Sequence, residues 1–301
     1  MTNISVSKSE ARIGWIGTGI MGGPMAMHLV NAGYDVSVYS RTKGKAEKHI
    51  ASGCNWYDTP SAVAENCNII FTIVGYPKDV EEVYFGENGI MKTLKKNSVV
   101  IDMTTTLPGL AVRIDEACRS IGAHAVDAPV SGGEVGAVNG ALSVMIGGEK
   151  DVVDLLLPVM DVFSKNMVYQ GKAGAGHHTK MCNQIVVAGT MIGVCESLVY
   201  GAKAGLDLNT MLSSISKGAA ACWALDVLGP KVVAGDFEPG FMVEHFIKDL
   251  GIALEEAELM QLKLPGTALA KELYEKVVEM GMAIKGTQAL YLALEEMAGK
   301  S

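Results

Sequence analysis

The stretch Ile13-Gly14-Trp15-Ile16-Gly17-Thr18-Gly19-Ile20-Met21-Gly22-Gly23-Pro24 constrains this chain most. A short apolar strand runs straight into a G-x-G-x-x-G turn, and a helix-like run from Met25 to Asn31 follows. That setting is the one in which such a turn binds a dinucleotide. Gly17 permits the tight turn, Gly19 lets the backbone approach a pyrophosphate, and Gly22 lets helix and strand pack closely. Ile20 and Met21 complete the turn, and the N–H groups at the helix start face the phosphates. A bare G-x-G-x-x-G is a common glycine turn; the strand before it and the helix after it give it meaning.

The next strand-like run, Asp35 to Tyr39, leads into Ser40-Arg41-Thr42-Lys43, with Lys45 close behind. NAD-type folds usually place Asp or Glu here, about 20 residues past the glycines, to accept from the ribose hydroxyls. No acid stands at this point. Arg41 offers a planar fork of donors suited to a 2′-phosphate, Thr42 adds a hydroxyl and Lys45 adds charge. NADP(H) is the expected cofactor, with NAD(H) possible. The alternative is a solvated loop carrying ordinary surface cations.

At 301 residues the chain exceeds one typical core, so two domains are expected. With 49% hydrophobic and 19% charged residues it suits a compact fold rather than disorder. A net charge of −8 argues against nucleic acid as the partner, while a local cationic pocket for a small carboxylate-bearing substrate remains compatible with it. Cys54, Cys67, Cys118, Cys182, Cys195 and Cys222 form no C-x-x-C pair and read as reduced interior thiols of a cytoplasmic protein. Residues 1–11 lack the apolar core of a signal peptide. Met181 to Tyr200 raises a membrane question, but Asn183, Gln184 and Glu196 interrupt it and Ala188, Gly189 and Gly193 favour close packing. A buried helix is expected there, with no membrane span.

Candidate strands are Arg12–Ile16, Asp35–Tyr39, Ile69–Val74, Ser98–Asp102, His124–Asp127, Leu142–Ile146 and Met167–Tyr169. Helix-like segments between them include Lys43–Ala51, Ser61–Asn66 and Gly109–Ile121. This alternation implies an α/β, largely parallel, doubly wound sheet. After Gly176 the strand pattern stops and Gly205, Gly235, Pro239 and Pro265 punctuate successive helices. The expected domains are therefore residues 1–175, binding the dinucleotide, and an all-α domain of residues 176–301. Ligands of open α/β sheets gather at the carboxyl ends of the strands, so Val74 and Thr105, in two strand-end loops, are candidates to wall the cofactor. Turns with hydroxyl caps are the bland alternative.

Asp127-Ala128-Pro129-Val130-Ser131-Gly132-Gly133 forms a second glycine loop. Ser131 supplies a hydroxyl, and Gly132 and Gly133 expose successive N–H groups that can nest a carboxylate; alone, the motif is a turn. In Gly174-Ala175-Gly176-His177-His178-Thr179-Lys180-Met181-Cys182-Asn183-Gln184, Lys180 heads the long apolar run, with Asn183 and Gln184 on the same helical face. Such a lysine can donate a proton to a carbonyl or accept one from a hydroxyl. It can equally be a surface lysine at a helix start. His177-His178 has no further ligand at a metal spacing, so no metal is expected. Lys248, in Phe246-Ile247-Lys248-Asp249-Leu250, is an isolated charge that alone means little.

Taken in order, G-x-G-x-M-G-x-P, D-A-P-V-S-G-G, G-x-G-x-x-x-K-x-x-N and K-D-L resemble the β-hydroxyacid dehydrogenases, a family that includes 3-hydroxyisobutyrate dehydrogenase and tartronate semialdehyde (2-hydroxy-3-oxopropionate) reductase. The resemblance runs from Arg12 onward. It implies a Rossmann-type N-terminal domain, Lys180 as catalytic lysine, and Ser131, Gly132 and Gly133 as a substrate-carboxylate loop. Asn183 would orient the substrate with Gln184 beside it, Thr105 would approach the nicotinamide ribose, and Lys248 would close over the cofactor. Relatives of 3-hydroxyisobutyrate dehydrogenase often carry two successive Asn where Asn183-Gln184 stands, which leaves open which amide orients. A frequent Asn is replaced by His28, without expected consequence for the chemistry. Ser40-Arg41-Thr42 is similar to the NADPH-using branch, and a homodimer or homotetramer is implied. Competing expectations are an NAD-dependent 3-hydroxyisobutyrate dehydrogenase, against which Arg41 speaks, an imine reductase-like protein, against which Lys180 weighs, and a non-catalytic dinucleotide sensor, against which Ser131, Lys180 and Asn183 together argue.

Overall fold

A computed structural model describes residues 4–299 of the chain. The contacts separate it into two units, one ending at Lys180 and one beginning at Met181. The division falls inside a helix rather than at the glycines near residue 175, because Ala175–Lys203 is one unbroken element.

In the first unit the strands are β1 (Arg12–Ile16), β2 (Asp35–Tyr39), β3 (Asn55–Trp56), β4 (Ile69–Thr72), β5 (Val99–Asp102), β6 (His124–Asp127), β7 (Val130–Ser131), β8 (Leu142–Gly148) and β9 (Ser164–Gly171). They form one sheet in the order β3-β2-β1-β4-β5-β6-β8-β7, with β9 on β8. Every pair from β3 to β6 is parallel. β8 then enters antiparallel to β6 and β7 and pairs parallel with β9. The parallel part matches the expected doubly wound sheet, and the antiparallel insertion departs from it. Strand order reverses between β1 and β4, which is where such sheets open a crevice for ligands.

Helices α1 (Gly22–Asn31), α2 (Glu47–Ala51), α3 (Pro60–Asn66), α4 (Pro77–Phe85), α5 (Pro108–Ser120), α6 (Gly133–Val138) and α7 (Lys150–Met160) complete this unit, and α8 (Ala175–Lys203) begins in it. β4 and β5 are buried at every position, as a parallel sheet covered on both faces requires. On one face Trp15 stacks on Phe71 at 5.2 Å, and Phe163 meets both rings edge-on at 6.0 Å. On the other, Ile16, Ile70, Val100 and Tyr84 form a separate core.

The second unit continues α8 from Met181 and adds α9 (Leu208–Ile215), α10 (Trp223–Val233), α11 (Val243–Leu259), α12 (Pro265–Glu279) and α13 (Leu290–Met297). Met191, Leu198, Phe246, Leu250, Tyr274 and Leu290 fill its core. Among the described residues its β structure is limited to one isolated bridge, Met242 to Gly286. By length and composition alone α8 is long and apolar enough to cross a membrane; here it carries Met191, Cys195 and Leu198 into the core of this unit.

Candidate active site

The glycine turn sits between β1 and α1, and its three glycines differ in what they do. Gly17 has φ +104°, and a Cβ there would lie 2.0 Å from the Ile73 carbonyl oxygen. A Cβ on Gly22 would lie 2.1 Å from the Gly17 carbonyl oxygen. The fold itself demands both. A Cβ on Gly19 meets nothing within 4 Å. Bare backbone is therefore presented where no neighbour in the chain requires it, beside the exposed Ile20. The first turn of α1 carries no acidic residue to oppose an anion. Thr18 Oγ1 is buried with no hydrogen-bond partner among the described residues. These features fit a pyrophosphate-bearing cofactor.

At the end of β2, Ser40 is buried, while Arg41, Thr42 and Lys45 are exposed. The Arg41 side chain is 81% exposed, yet its Nη1 donates to Asp79 Oδ1 at 3.1 Å. The other oxygen of Asp79 accepts from the Tyr76 N–H at 3.1 Å, closing the start of α4. Val74 donates its N–H to Thr104 Oγ1 at 3.0 Å, which fixes the loop after β4 against the loop that contains Thr105.

Lys180 is not a surface lysine. It is 7% exposed, and its Nζ donates to the Val130 carbonyl oxygen at 2.9 Å. The start of α8 places it there. Asp127, at the end of β6, accepts from the Gly174 N–H at 2.8 Å and from the His177 N–H at 2.9 Å, satisfying donors that a helix start leaves open. A Cβ on Gly176 would lie 2.4 Å from the Met145 carbonyl oxygen, so the helix start presses directly on β8. The spacing from those glycines to Lys180 is thereby a packing requirement. Val130 immediately precedes Ser131, Gly132 and Gly133, and the two glycines adopt φ +134° and +61°. Lys180 and the second glycine loop thus meet. His28 Nε2 lies 3.0 and 3.1 Å from the carbonyl oxygens of Ala137 and Val138, tying α1 to the helix that follows this loop.

In the second unit, Asn183 donates its amide to Gln184 Oε1 at 2.7 Å, and Gln184 Nε2 donates to Asp249 Oδ2 at 2.6 Å. Lys248 Nζ lies 3.0 Å from Asp249 Oδ1. Gln184 is buried with its amide committed on both sides, whereas Asn183 is only partly buried. The residues singled out separately in the sequence as Asn183, Gln184 and Lys248 are one connected chain through Asp249.

Four aspartates that sequence reasoning did not select organise these groups: Asp79, Asp102, Asp127 and Asp249. Asp102 and Asp127 end β5 and β6, and an acid closing a short run of buried apolar residues was the available signal. Asp102 Oδ1 accepts from Thr72 Oγ1 at 2.8 Å and from the Thr104 N–H at 3.1 Å. Burial pushes its carboxyl pKa up, while His177 and these donors hold it down. Among the described residues no three His, Cys, Asp or Glu side chains cluster as a metal site. All six cysteines are free thiols; Cys182 is exposed and Cys222 half-buried, so only four are interior.

Residues 12–171 match the family described as the NAD binding domain of 6-phosphogluconate dehydrogenase, and residues 174–294 match that of the NAD-binding of NADP-dependent 3-hydroxyisobutyrate dehydrogenase. An uncharacterised oxidoreductase of Bacillus subtilis is 51% identical over 93% of this chain and 97% of its own length. The 2-hydroxy-3-oxopropionate reductase of Escherichia coli is 37% identical over 95% of this chain and 98% of its own. A solved structure of Mycobacterium tuberculosis 3-hydroxyisobutyrate dehydrogenase with L-serine is 26% identical, superposes with a TM-score of 0.86, and covers 94% of this chain and 99% of that one. With an NAD(P)-binding sheet domain followed by a helical domain, the chain belongs to the β-hydroxyacid dehydrogenase family and is an oxidoreductase.

Proposed function

We propose that the protein is an NADPH-linked reductase of a short aldehyde acid, giving the corresponding β-hydroxyacid, with Lys180 as proton donor. The observation that carries this reading is the contact of the buried Lys180 Nζ with the carbonyl oxygen of Val130, the residue before Ser131. The reduced nicotinamide, when bound, supplies the hydride. Gly17, Gly19, Ile20, Met21 and Gly22 hold its pyrophosphate, Val74, Thr105 and Lys248 contact it further along, and Ser40, Arg41, Thr42 and Lys45 receive the 2′-phosphate. The hydroxyl of Ser131 and the N–H groups of Gly132 and Gly133 bind the substrate carboxylate, so that the carbonyl oxygen lies within reach of Lys180. Lys180 then gives its proton to that oxygen. Asn183, held by Gln184, donates to the substrate and restricts its rotation.

Arg41 is already engaged by Asp79, so a 2′-phosphate must share it with a carboxylate. That favours a second reading, the NAD-linked oxidation of 3-hydroxyisobutyrate, in which Lys180 accepts the hydroxyl proton. We also read the protein as a homodimer or homotetramer, supported by exposed Val186, Tyr200, Trp223, Leu259, Leu262 and Ile284 in the second unit, and as cytoplasmic without a membrane or nucleic-acid partner, the last supported by the net charge of −8.

The test is cofactor consumption with NADPH or NADH on glyoxylate, tartronate semialdehyde, methylmalonate semialdehyde and succinic semialdehyde, and with 3-hydroxyisobutyrate in reverse. Turnover of one aldehyde acid with NADPH favoured supports the first reading. Oxidation with NAD favoured supports the second, and absence of turnover with all of them contradicts both.

A further inference from the structure

Lys180 is placed by a helix that starts on two buried aspartates, and His177 touches both. It precedes Lys180 by three residues, on the same helical face. Its backbone N–H is held by Asp127 Oδ2 at 2.9 Å. Its imidazole is fully buried, and neither ring nitrogen has a hydrogen-bond partner among the described residues. The atom facing it is Asp102 Oδ2, which lies 3.9 Å from Nε2 and likewise lacks a hydrogen-bond partner. Thr72 and Thr104 hold the other Asp102 oxygen, so the carboxylate cannot rotate to satisfy itself elsewhere. A cavity of about 10 Å³ lined by Asp102 and Asp127 among apolar side chains such as Ile114 and Val126 adjoins the Asp102 side of the pair. That is about the room one water needs.

Two unsatisfied polar groups buried face to face are costly unless they engage one another. At 3.9 Å the contact is longer than a hydrogen bond, and a small inward shift or one bridging water completes it. We propose that His177 is a positioning residue: its Nε2–H engages Asp102 Oδ2 and locks the first turn of α8, and with it Lys180, onto the carboxyl ends of β5 and β6. The role of this contact in turnover rests on the reading of Lys180 as proton donor. Asp127 holds the backbone of this turn at the end of β6 through two N–H groups, those of Gly174 and His177. The ring anchor to Asp102 adds a further point on a neighbouring strand. A lysine one turn further on is then fixed in position as well as in direction.

The test compares His177→Leu, His177→Gln, Asp102→Asn and the double variant His177→Leu/Asp102→Asn in the full chain, with NADPH and the aldehyde acid turned over best. His177→Leu is expected to lower kcat by about 10- to 100-fold, the cost of misplacing a reacting group by about 1 Å, while NADPH binding stays within about two-fold. His177→Gln, whose amide N–H can reach Asp102, recovers most of that loss. The double variant loses no more than the worse single variant, because both break one interaction. A His177→Leu kcat within about two-fold of wild type, equal losses in the Leu and Gln variants, or losses that multiply in the double variant overturn the proposal. If the Leu variant does not fold, NMR of the ¹⁵N-histidine-labelled wild type decides. A protonated Nε2 on His177 with slow exchange is expected, and a bare Nε2 overturns the proposal. That measurement needs no substrate, so it separates failure of this contact from failure of the enzymatic reading, which unimpaired turnover in Lys180→Ala would signal instead.

Discussion

Lys180 Nζ and the carbonyl oxygen of Val130 are joined by a 2.9 Å hydrogen bond that spans 50 residues of sequence. It sets a buried ammonium against the residue that leads into Ser131, Gly132 and Gly133. That bond to the backbone aims the ammonium, whose N–H groups are all donors. The acceptor is a main-chain atom in a strand, which cannot turn away as a side chain can.

The glycine turn separates fold from ligand binding. Gly19→Ala is expected to leave Tm within about 2 °C of wild type, since its Cβ enters open space, yet to weaken NADPH by about ten-fold or more by occupying the approach of the pyrophosphate. Gly22→Ala drives a Cβ to 2.1 Å from a backbone oxygen and should cost about 1–3 kcal/mol, lowering Tm by about 3–10 °C. Thermal melts with and without NADPH measure both. A Gly19→Ala protein that binds NADPH normally contradicts the assignment.

Arg41→Ala should weaken NADPH by about ten-fold or more, the worth of a charge-assisted hydrogen bond, while sparing NADH. Asp79→Asn removes the carboxylate that competes for the guanidinium, 3.1 Å away, and so should raise the preference for NADPH. Titrating each variant with both cofactors checks this, and equal losses for both cofactors in Arg41→Ala contradict phosphate recognition.

The cysteines should differ sharply in reactivity. Burial pushes the thiols of Cys54 and Cys67 up to about 11 and those of Cys118 and Cys195 up to about 12, so almost none of the reactive thiolate forms near neutrality. Cys182 is exposed. Brief iodoacetamide treatment of the native protein, read by peptide mass spectrometry, should label Cys182 first and leave those four unmodified. Labelling of Cys118 as fast as Cys182 contradicts this packing.

His245 gives stability a pH dependence of known sign. Burial, and then the charge of Lys248, lower its pKa below 6.5, against the opposing pull of Glu244 and Asp249. As pH falls through 6.5 the unfolded chain takes up the proton first. The contribution of neutral His245 is therefore intact above that value and is lost as pH drops towards the lowered folded pKa. His245→Gln should show a smaller fall in Tm between about pH 7.5 and pH 5.5 than wild type. An equal or larger fall contradicts it.

Much of the first unit was legible because a parallel sheet writes itself as apolar runs: β4 and β5 are buried at every position. β3 and β7 were not, since two residues hold no period. The antiparallel entry of β8 also left no trace, because alternation carries no strand direction. Lys180 was visible as a residue but not as a buried one, for its acceptor is a backbone atom far along the chain. Cys182 lies two residues beyond Lys180, hence on the opposite side of α8, which apolar composition could not distinguish. The expectation that His28 matters little to chemistry left out its bond to the end of α6. Asp79 and Asp249 read locally as ordinary acids; only long-range pairing with Arg41 and Gln184 marks them.

The most direct test of the account is Lys180→Ala, assayed for kcat with the best aldehyde acid and, separately, for NADPH affinity by fluorescence titration. The account predicts a fall in kcat of about 10²–10⁴-fold, the contribution of a positioned general acid, with NADPH affinity retained. Near-wild-type turnover, or a loss traced wholly to NADPH binding, would contradict it.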